Sequence, residues 1–246
     1  MADKNYLHTA YSKSANGADG FTTVYPNLNL LKNTKSQSYT STGTATNNSS
    51  NIYPLDGNVA DILNKPITIT YDYTITNSSG TWSGSIRPTY GLGVTNQSVS
   101  STKLSGTCKE TVTLTAVSQS SYGILTSGLP TGSKVTITNL KVEFGSTATP
   151  YISSASEVTT ADWPKYVGTY VDTNLVSSTD PSKYVWDEMK YRVYLDGVPV
   201  GGSKLLSFDL ENLKAGTTYN VQVNQINGNV ESDKSESAVF KTTLTQ

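Results

Sequence analysis

The stretch PITITYDYTIT, residues 66–76, alternates strictly: Ile67, Ile69, Tyr71, Tyr73 and Ile75 fall on one face, and Thr68, Thr70, Asp72 and Thr74 on the other. That period of two does not suit a helix and marks a strand buried on one side. WSGSIRPTYG (82–91), KETVTLTAV (109–117), SYGILTSG (121–128) and SKVTITNLKVEFG (133–145) repeat the idea. In the last of these the inward set passes from Val135 and Ile137 to Leu140, Val142 and Phe144, a change of parity that predicts a β-bulge near Asn139. Short strands punctuated by Gly, Pro and Asn, without helical periodicity, predict an all-β jelly-roll sandwich over 29–152.

A chain of 246 residues has room for a second core. YRVYLDGVPVG reads as a hairpin in which Asp196 and Gly197 supply the positive φ values of a two-residue primed turn. Tyr219 follows the Gly216-Thr217 turn and precedes Val221 and Val223 by two and four residues, the tyrosine-corner spacing of an immunoglobulin-like sandwich. Residues 190–246 are therefore expected to form a second, smaller β-sandwich.

The flanking segments read differently. Residues 1–28 are expected to be an extended arm, since Pro26 breaks any helix. Phe21, Tyr25 and Leu30 then serve either as docking anchors for a larger assembly or as packing against the jelly roll, and both readings stay open. Residues 36–51, SQSYTSTGTATNNSSN, form a polar loop or an edge strand. Residues 153–189 are expected to be a stiff connector, because a floppy linker would lack Trp163, Tyr166, Tyr170, Tyr184 and Trp186. Within it Asp180 suits the cap of a short helix with Pro181 at its first position, which places Val185 and Met189 on the same face as Pro181. Whether this segment completes the C-terminal sandwich or stands apart stays open.

Composition narrows the chemistry. Charged residues make up 15% of the chain, and 18 Lys plus Arg balance 19 Asp plus Glu, so no basic field exists to displace counterions from nucleic acid. The opening MADKNYLHTAYSKSANG carries no apolar leader core and no run approaches a bilayer span, so neither export nor a membrane anchor is expected. Cys108, the single cysteine, excludes an intrachain disulfide and a cysteine-based zinc cluster.

Catalytic equipment is sparse. His8 is the sole histidine and lies far in sequence from any promising acid or nucleophile. A His-free glycosidase needs two carboxylates facing across a cleft; the jelly-roll region offers Asp56, Asp61, Asp72, Glu110 and Glu143, and Asp72 and Glu143 sit where solvated surface acids are expected. The sequence thus predicts no enzyme and no cofactor. Asp56, Asn58 and Asp61 are oxygen donors of the kind calcium prefers, but they form no dense acidic loop.

Sugar recognition needs an aromatic face and planar polar groups. Trp82, Arg87, Tyr90 and Tyr122, with Tyr53 behind them, are the candidates. Each has a competing role: Trp82 shares parity with Ile86 and Tyr90 and so suits a core, while Arg87 points to the other face, where a lone Arg is usually solvated.

Several segments resemble known families. LKAGTTYNVQV followed by SESAVFKT resembles the later strands of a fibronectin type III domain; the early strands and their core Trp are missing, so that domain is truncated or borrows strands from the preceding segment. VTITNLKVEFGSTATPY and NLNLLKNTK resemble the exit and entry of carbohydrate-binding jelly-roll modules in siphophage tail and baseplate proteins. Residues 163–186 resemble a connector of tail and receptor-binding proteins from phages of Gram-positive bacteria, and NYLHTAYSKSANGADGFTTVYPNLNLL is similar to the start of accessory baseplate proteins of lactococcal phages. The resemblance implies a virion protein, made in the host cytoplasm, whose jelly roll binds cell-wall or capsular polysaccharide and whose N-terminal arm or C-terminal fibronectin-like unit attaches it to other tail or baseplate proteins. The competing implication is a structural spacer or decoration protein that binds no saccharide.

Overall fold

The computed structural model describes residues 4–90, 92, 94–116 and 121–243, with only the backbone of Thr89 and Tyr90. The chain divides into two compact units: Met1–Asn27 with Thr159–Gln246, and Leu28–Val158. The first unit begins with β1 (Tyr6–Ser12) and β2 (Phe21–Thr22). The middle unit holds β3 (Ser36–Thr40), β4 (Asn47–Asn48), β5 (Tyr53–Pro54), β6 (Pro66–Thr76), β7 (Ser83–Tyr90), β8 (Gln97–Ser100), β9 (Ser105–Thr113), β10 (Ser121–Ser127) and β11 (Lys134–Phe144). The first unit resumes with β12 (Tyr166–Asp172), β13 (Val185–Glu188), β14 (Tyr191–Leu195), β15 (Val198–Ser203), β16 (Thr218–Asn227), β17 (Val230–Glu231) and β18 (Ala238–Lys241). The fold is all-β sandwich; among the described residues no helix is long and apolar enough to cross a membrane.

The middle unit sets two antiparallel sheets face to face, β3-β11-β6-β9 and β4-β10-β7-β8, with β5 added to β10. Ile67, Ile69, Tyr71, Tyr73 and Ile75 of β6 enter the core beside Val135, Ile137, Leu140 and Val142 of β11, opposite Ile86, Val99, Tyr122 and Ile124. The register of β11 on β6 shifts between Thr138 and Lys141, and Asn139 there takes φ 51°. This bulge is what lets Val135 and Leu140 both face inward. Of the polar stretch 36–51, β3 is an edge strand on β11, and β4 adds two residues to β10.

The unit runs to Val158, past the boundary expected at residue 152, because its exit folds back onto it. Ser154 bridges Asn29, the Ser156 N–H donates to Asp56 Oδ2 at 2.8 Å, and the Asn33 N–H donates to Glu157 Oε1 at 3.0 Å.

The first unit corrects three expectations. Residues 4–12 are not a free arm: β1 pairs along its whole length with β12, from Tyr6 opposite Asp172 to Ser12 opposite Tyr166, in a sheet ordered β13-β12-β1-β2. Residues 166–188 are not a separate connector, since they supply two strands of that sheet. The helix expected at Pro181 is a single 3-10 turn, Pro181–Lys183, capped by Asp180 Oδ1 accepting the Ser182 N–H at 2.9 Å. It stops there because Val185–Glu188 pair with β12, so Val185 is exposed on a strand while Met189 is buried.

The second sheet, β15-β14-β16-β17 with β18 on the same β16, holds the fibronectin-like segment. Asp196 and Gly197 take φ 49° and 80° at its hairpin, and the Tyr219 hydroxyl accepts the Lys214 N–H at 2.9 Å.

The aromatics hold this unit together. Phe21 meets Tyr184 and Trp186 edge-on at 5.2 and 5.7 Å, and Tyr25 stacks on Trp163 at 5.8 Å. Arg192 lies 4.5 Å from the Trp163 ring, and its Nε donates to the Tyr25 hydroxyl at 2.9 Å. A backbone approach makes room for this packing: a Cβ on Gly168 would stand 2.8 Å from Trp186.

Candidate functional site

The sequence candidates for sugar contact do not assemble into a surface. Tyr53 and Tyr122 are 0% and 1% exposed, and burial pushes both phenols up, Tyr122 to about 12. Both belong to the core and present no ring face to a ligand. Trp82 is half-buried against the same core, its indole N–H enclosed without a protein acceptor. Arg87 lies on the outer face of the opposite sheet and donates from Nε to Asn96 Oδ1 at 3.0 Å. The side chain of Tyr90 lies outside the described residues. Alternation along a strand assigns such residues a face but does not distinguish a ligand face from a core face.

The docking candidates pack within the fold, Tyr25 buried and Phe21 and Leu30 half-buried. Tyr25 is 4% exposed and held by Arg192, Phe21 packs among Tyr184 and Trp186, and Leu30 packs against the core of the middle unit.

The acids serve structure. Asp56 accepts Ser156 and faces Lys32, Asp61 accepts the Asn58 N–H, and Glu110 accepts the N–H and hydroxyl of Thr95. Glu143 is not a solvated surface acid: it is 0% exposed and accepts the Thr149 N–H and hydroxyl at 2.8 and 2.5 Å, beside the equally buried Lys141 at 3.4 Å. Lys141 also donates to Thr149 Oγ1 and the Pro150 carbonyl, both at 2.6 Å. Desolvation lowers its pKa to about 8, although Glu143 opposes that shift. This network pins the segment around Thr149 and Pro150 to the outer face of β11. Among the described residues no three His, Cys, Asp or Glu side chains gather as metal ligands.

His8 is not isolated in space. Its Nε2 lies 3.0 Å from Asp172 Oδ1 and from the Asn174 carbonyl, and its Nδ1 lies 3.0 Å from Ser177 Oγ. These are triad distances, which sequence separation concealed. Hydrolysis also requires donors for an oxyanion, yet the nearby N–H groups of Asn174 and Ser178 are committed to Asp172 and to the Tyr170 hydroxyl. The ring is 4% exposed and stacked on Tyr170 at 4.6 Å, so the cluster fastens the loop after β12 to β1.

Two surfaces of different character remain. In the first unit, a cleft of about 700 Å³ is lined by Leu7, Val24, Val185, Leu205 and Phe208 among polar neighbours, and an apolar hollow of about 310 Å³ lies between Leu206, Phe208, Val193 and Val223. Among the described residues, every large exposed hydrophobic except Leu104 belongs to this unit, Leu206, Val176 and Leu175 being the most exposed.

The middle unit instead shows a hydroxyl-rich outer face on the β3-β11-β6-β9 sheet. Register places Ser38, Thr136, Thr74 and Ser105 in one row and Ser36, Thr138, Asp72 and Thr107 in the next. Asp72 accepts the Thr107 hydroxyl at 2.5 Å and the Asn139 amide at 3.3 Å. No signal in the sequence distinguished this face from ordinary solvated strand, apart from the parity change at Asn139.

Residues 164–222 match the BppU-like family described as minor structural protein 5-like, C-terminal domain. Over its whole length, and the whole length of the other chain, the protein is similar to a chain of the solved tripod (BppUct-A-L) from the baseplate of bacteriophage Tuc2009, at 46% identity and a TM-score of 0.80. No curated protein matches.

Proposed function

The chain belongs to the baseplate proteins of lactococcal siphophages, and on that premise we propose that it is an adsorption protein, in which the first unit mounts it among other baseplate proteins and the middle unit binds a host-surface saccharide. The observation that carries this reading is the division of surface character. Exposed aliphatic side chains concentrate on the first unit, as a surface that another protein covers requires. The middle unit buries its apolar residues and turns hydroxyls, amides and a carboxylate outward, groups that exchange readily between water and sugar hydroxyls. A shallow saccharide site is weak singly, but repeated copies on one particle raise its effective concentration.

The test is binding of fluorescently tagged full-length protein to a panel of lactic acid bacteria. Strain-selective labelling that purified wall polysaccharide competes away is the expected result. Labelling absent from every strain, even with the protein clustered on a bead, would leave a structural baseplate spacer as the function.

A further inference from the structure

The outer face at the β11 bulge is more than a polar strand surface. Asn139 sits at φ 51°, where the two strands lose register, and its side chain turns toward Asp72 of β6. A continuous chain of groups follows. Thr107 donates to Asp72 Oδ1, Asn139 Nδ2 donates to Asp72 Oδ2, and Lys35 Nζ donates to Asn139 Oδ1 at 3.4 Å. The same Lys35 lies 5.0 Å from the centroid of Tyr151, whose hydroxyl meets Thr34 Oγ1 at 3.1 Å. Tyr151 follows directly on the segment that Lys141 and Glu143 pin down, so its half-buried ring is held next to Lys35, which in turn meets the Asn139 amide.

These groups keep capacity in reserve. Asp72 engages two donors while its carboxylate offers about four acceptor positions, Asn139 has a second amide hydrogen, and Lys35 has further ammonium hydrogens. Beside them, the rows Ser36–Thr138–Asp72–Thr107 and Ser38–Thr136–Thr74–Ser105 form a floor of small side chains about 14 Å across four strands. An acceptor next to a donor, above a floor of small side chains, matches adjacent hydroxyls on a sugar ring.

We propose that Asp72, Asn139, Lys35 and Tyr151 form a binding site for a neutral glycan presenting vicinal hydroxyls. Asp72 accepts from one hydroxyl, Asn139 and Lys35 donate to its neighbour, and the Tyr151 ring positions the Lys35 ammonium. This rests on the reading of the middle unit as a saccharide binder, and it places the site on the sheet opposite Arg87.

Full-length protein is titrated with wall polysaccharide from a labelled strain and, in parallel, with glucose, galactose and mannose, following amide chemical shifts. Asp72→Asn and Lys35→Ala are each expected to weaken polysaccharide binding about tenfold or more, the loss of a charge-assisted bond, while Arg87→Ala binds as the parent does. Asn139→Gly keeps the left-handed backbone and removes the amide, so it separates binding from folding should Asp72→Asn fail to fold. Binding by the parent that survives all of these changes overturns this site and leaves saccharide recognition standing elsewhere. Absence of binding by the parent overturns the saccharide reading and this site with it.

Discussion

Replacing Arg192 with Met tests whether the first unit is one cooperative body made from three distant parts of the sequence. Arg192 is 2% exposed; its NH1 donates to Glu231 Oε2 at 2.5 Å, its Nε to Tyr25, and its guanidinium covers Trp163. Glu231 keeps only the Asn224 amide at 2.7 Å once the arginine is gone, and its side chain is 13% exposed. Removing one partner of a buried pair costs about 3–5 kcal/mol, because the other charge is stranded. The lost cation–π contact adds about 1–2 kcal/mol, and burial of the methionine side chain offsets about 2 kcal/mol. The expected net loss is about 3 kcal/mol. Urea unfolding followed by tryptophan fluorescence reads it in a Trp82→Phe background, where Trp163 and Trp186, both in this unit, are the remaining tryptophans. Adding Glu231→Gln is expected to recover part of the loss, since no charge is then left unpaired. A shift below about 1 kcal/mol, or a double variant no more stable than Arg192→Met, would refute the stranded-charge argument.

Two further outcomes concern the middle unit. Its stability is expected to rise from pH 8 to about 10 and then to fall. Folded Lys141 releases its proton near 8 while the unfolded chain holds that proton to about 10.4, so stability grows with pH between those values. Burial raises Tyr53, Tyr71 and Tyr122 above the ordinary phenol value, the last to about 12; the stability they contribute is whole below about pH 10 and drains at about 1.4 kcal/mol per unit for each above it. Urea midpoints at pH 8, 10 and 11 give the profile, and a flat line across them would sink the assignment. Gly123→Ala is expected to cost about 3 kcal/mol, or about 10 °C in Tm, because the new Cβ would stand 1.9 Å from the Ser49 carbonyl oxygen. That carbonyl has little freedom to move, since the Ser49 N–H and hydroxyl are both tied to Ile124. Unchanged thermal unfolding would mean that β10 tolerates a shift the packing forbids.

How much of this was readable in advance follows the range of the interactions involved. The alternation of β6, the parity change at Asn139, the positive φ values at Asp196 and Gly197 and the hydrogen bond to Tyr219 are local features, each settled within a few residues. The pairing of β1 with β12 joins positions more than 150 residues apart, and the composition of YLHTAYS specifies that it needs a partner without saying which. Trp163 and Tyr184 looked like connector residues for the same reason: their partners Tyr25 and Phe21 come from the other end of the chain. Alternation also assigns a side chain to a face and not to solvent. Glu143 has the outward parity of a surface acid, yet the exit segment folds over it, and Thr149 donates to it from both its N–H and its hydroxyl.

The same limit explains why the candidate glycan site fell elsewhere in the sequence reading. Large aromatics such as Tyr53 and Tyr122 draw attention because stacking needs them, but an all-β core this rich in tyrosine uses them first as packing volume. What distinguishes Asp72 from any solvated carboxylate is that a bulge 67 residues away aims an amide at it. That bulge was legible as a change of parity, and its partner on β6 was not. Binding residues that act through cross-strand neighbours therefore emerge only once register is known, and the bulge is the point on this sheet where register and side-chain direction change together.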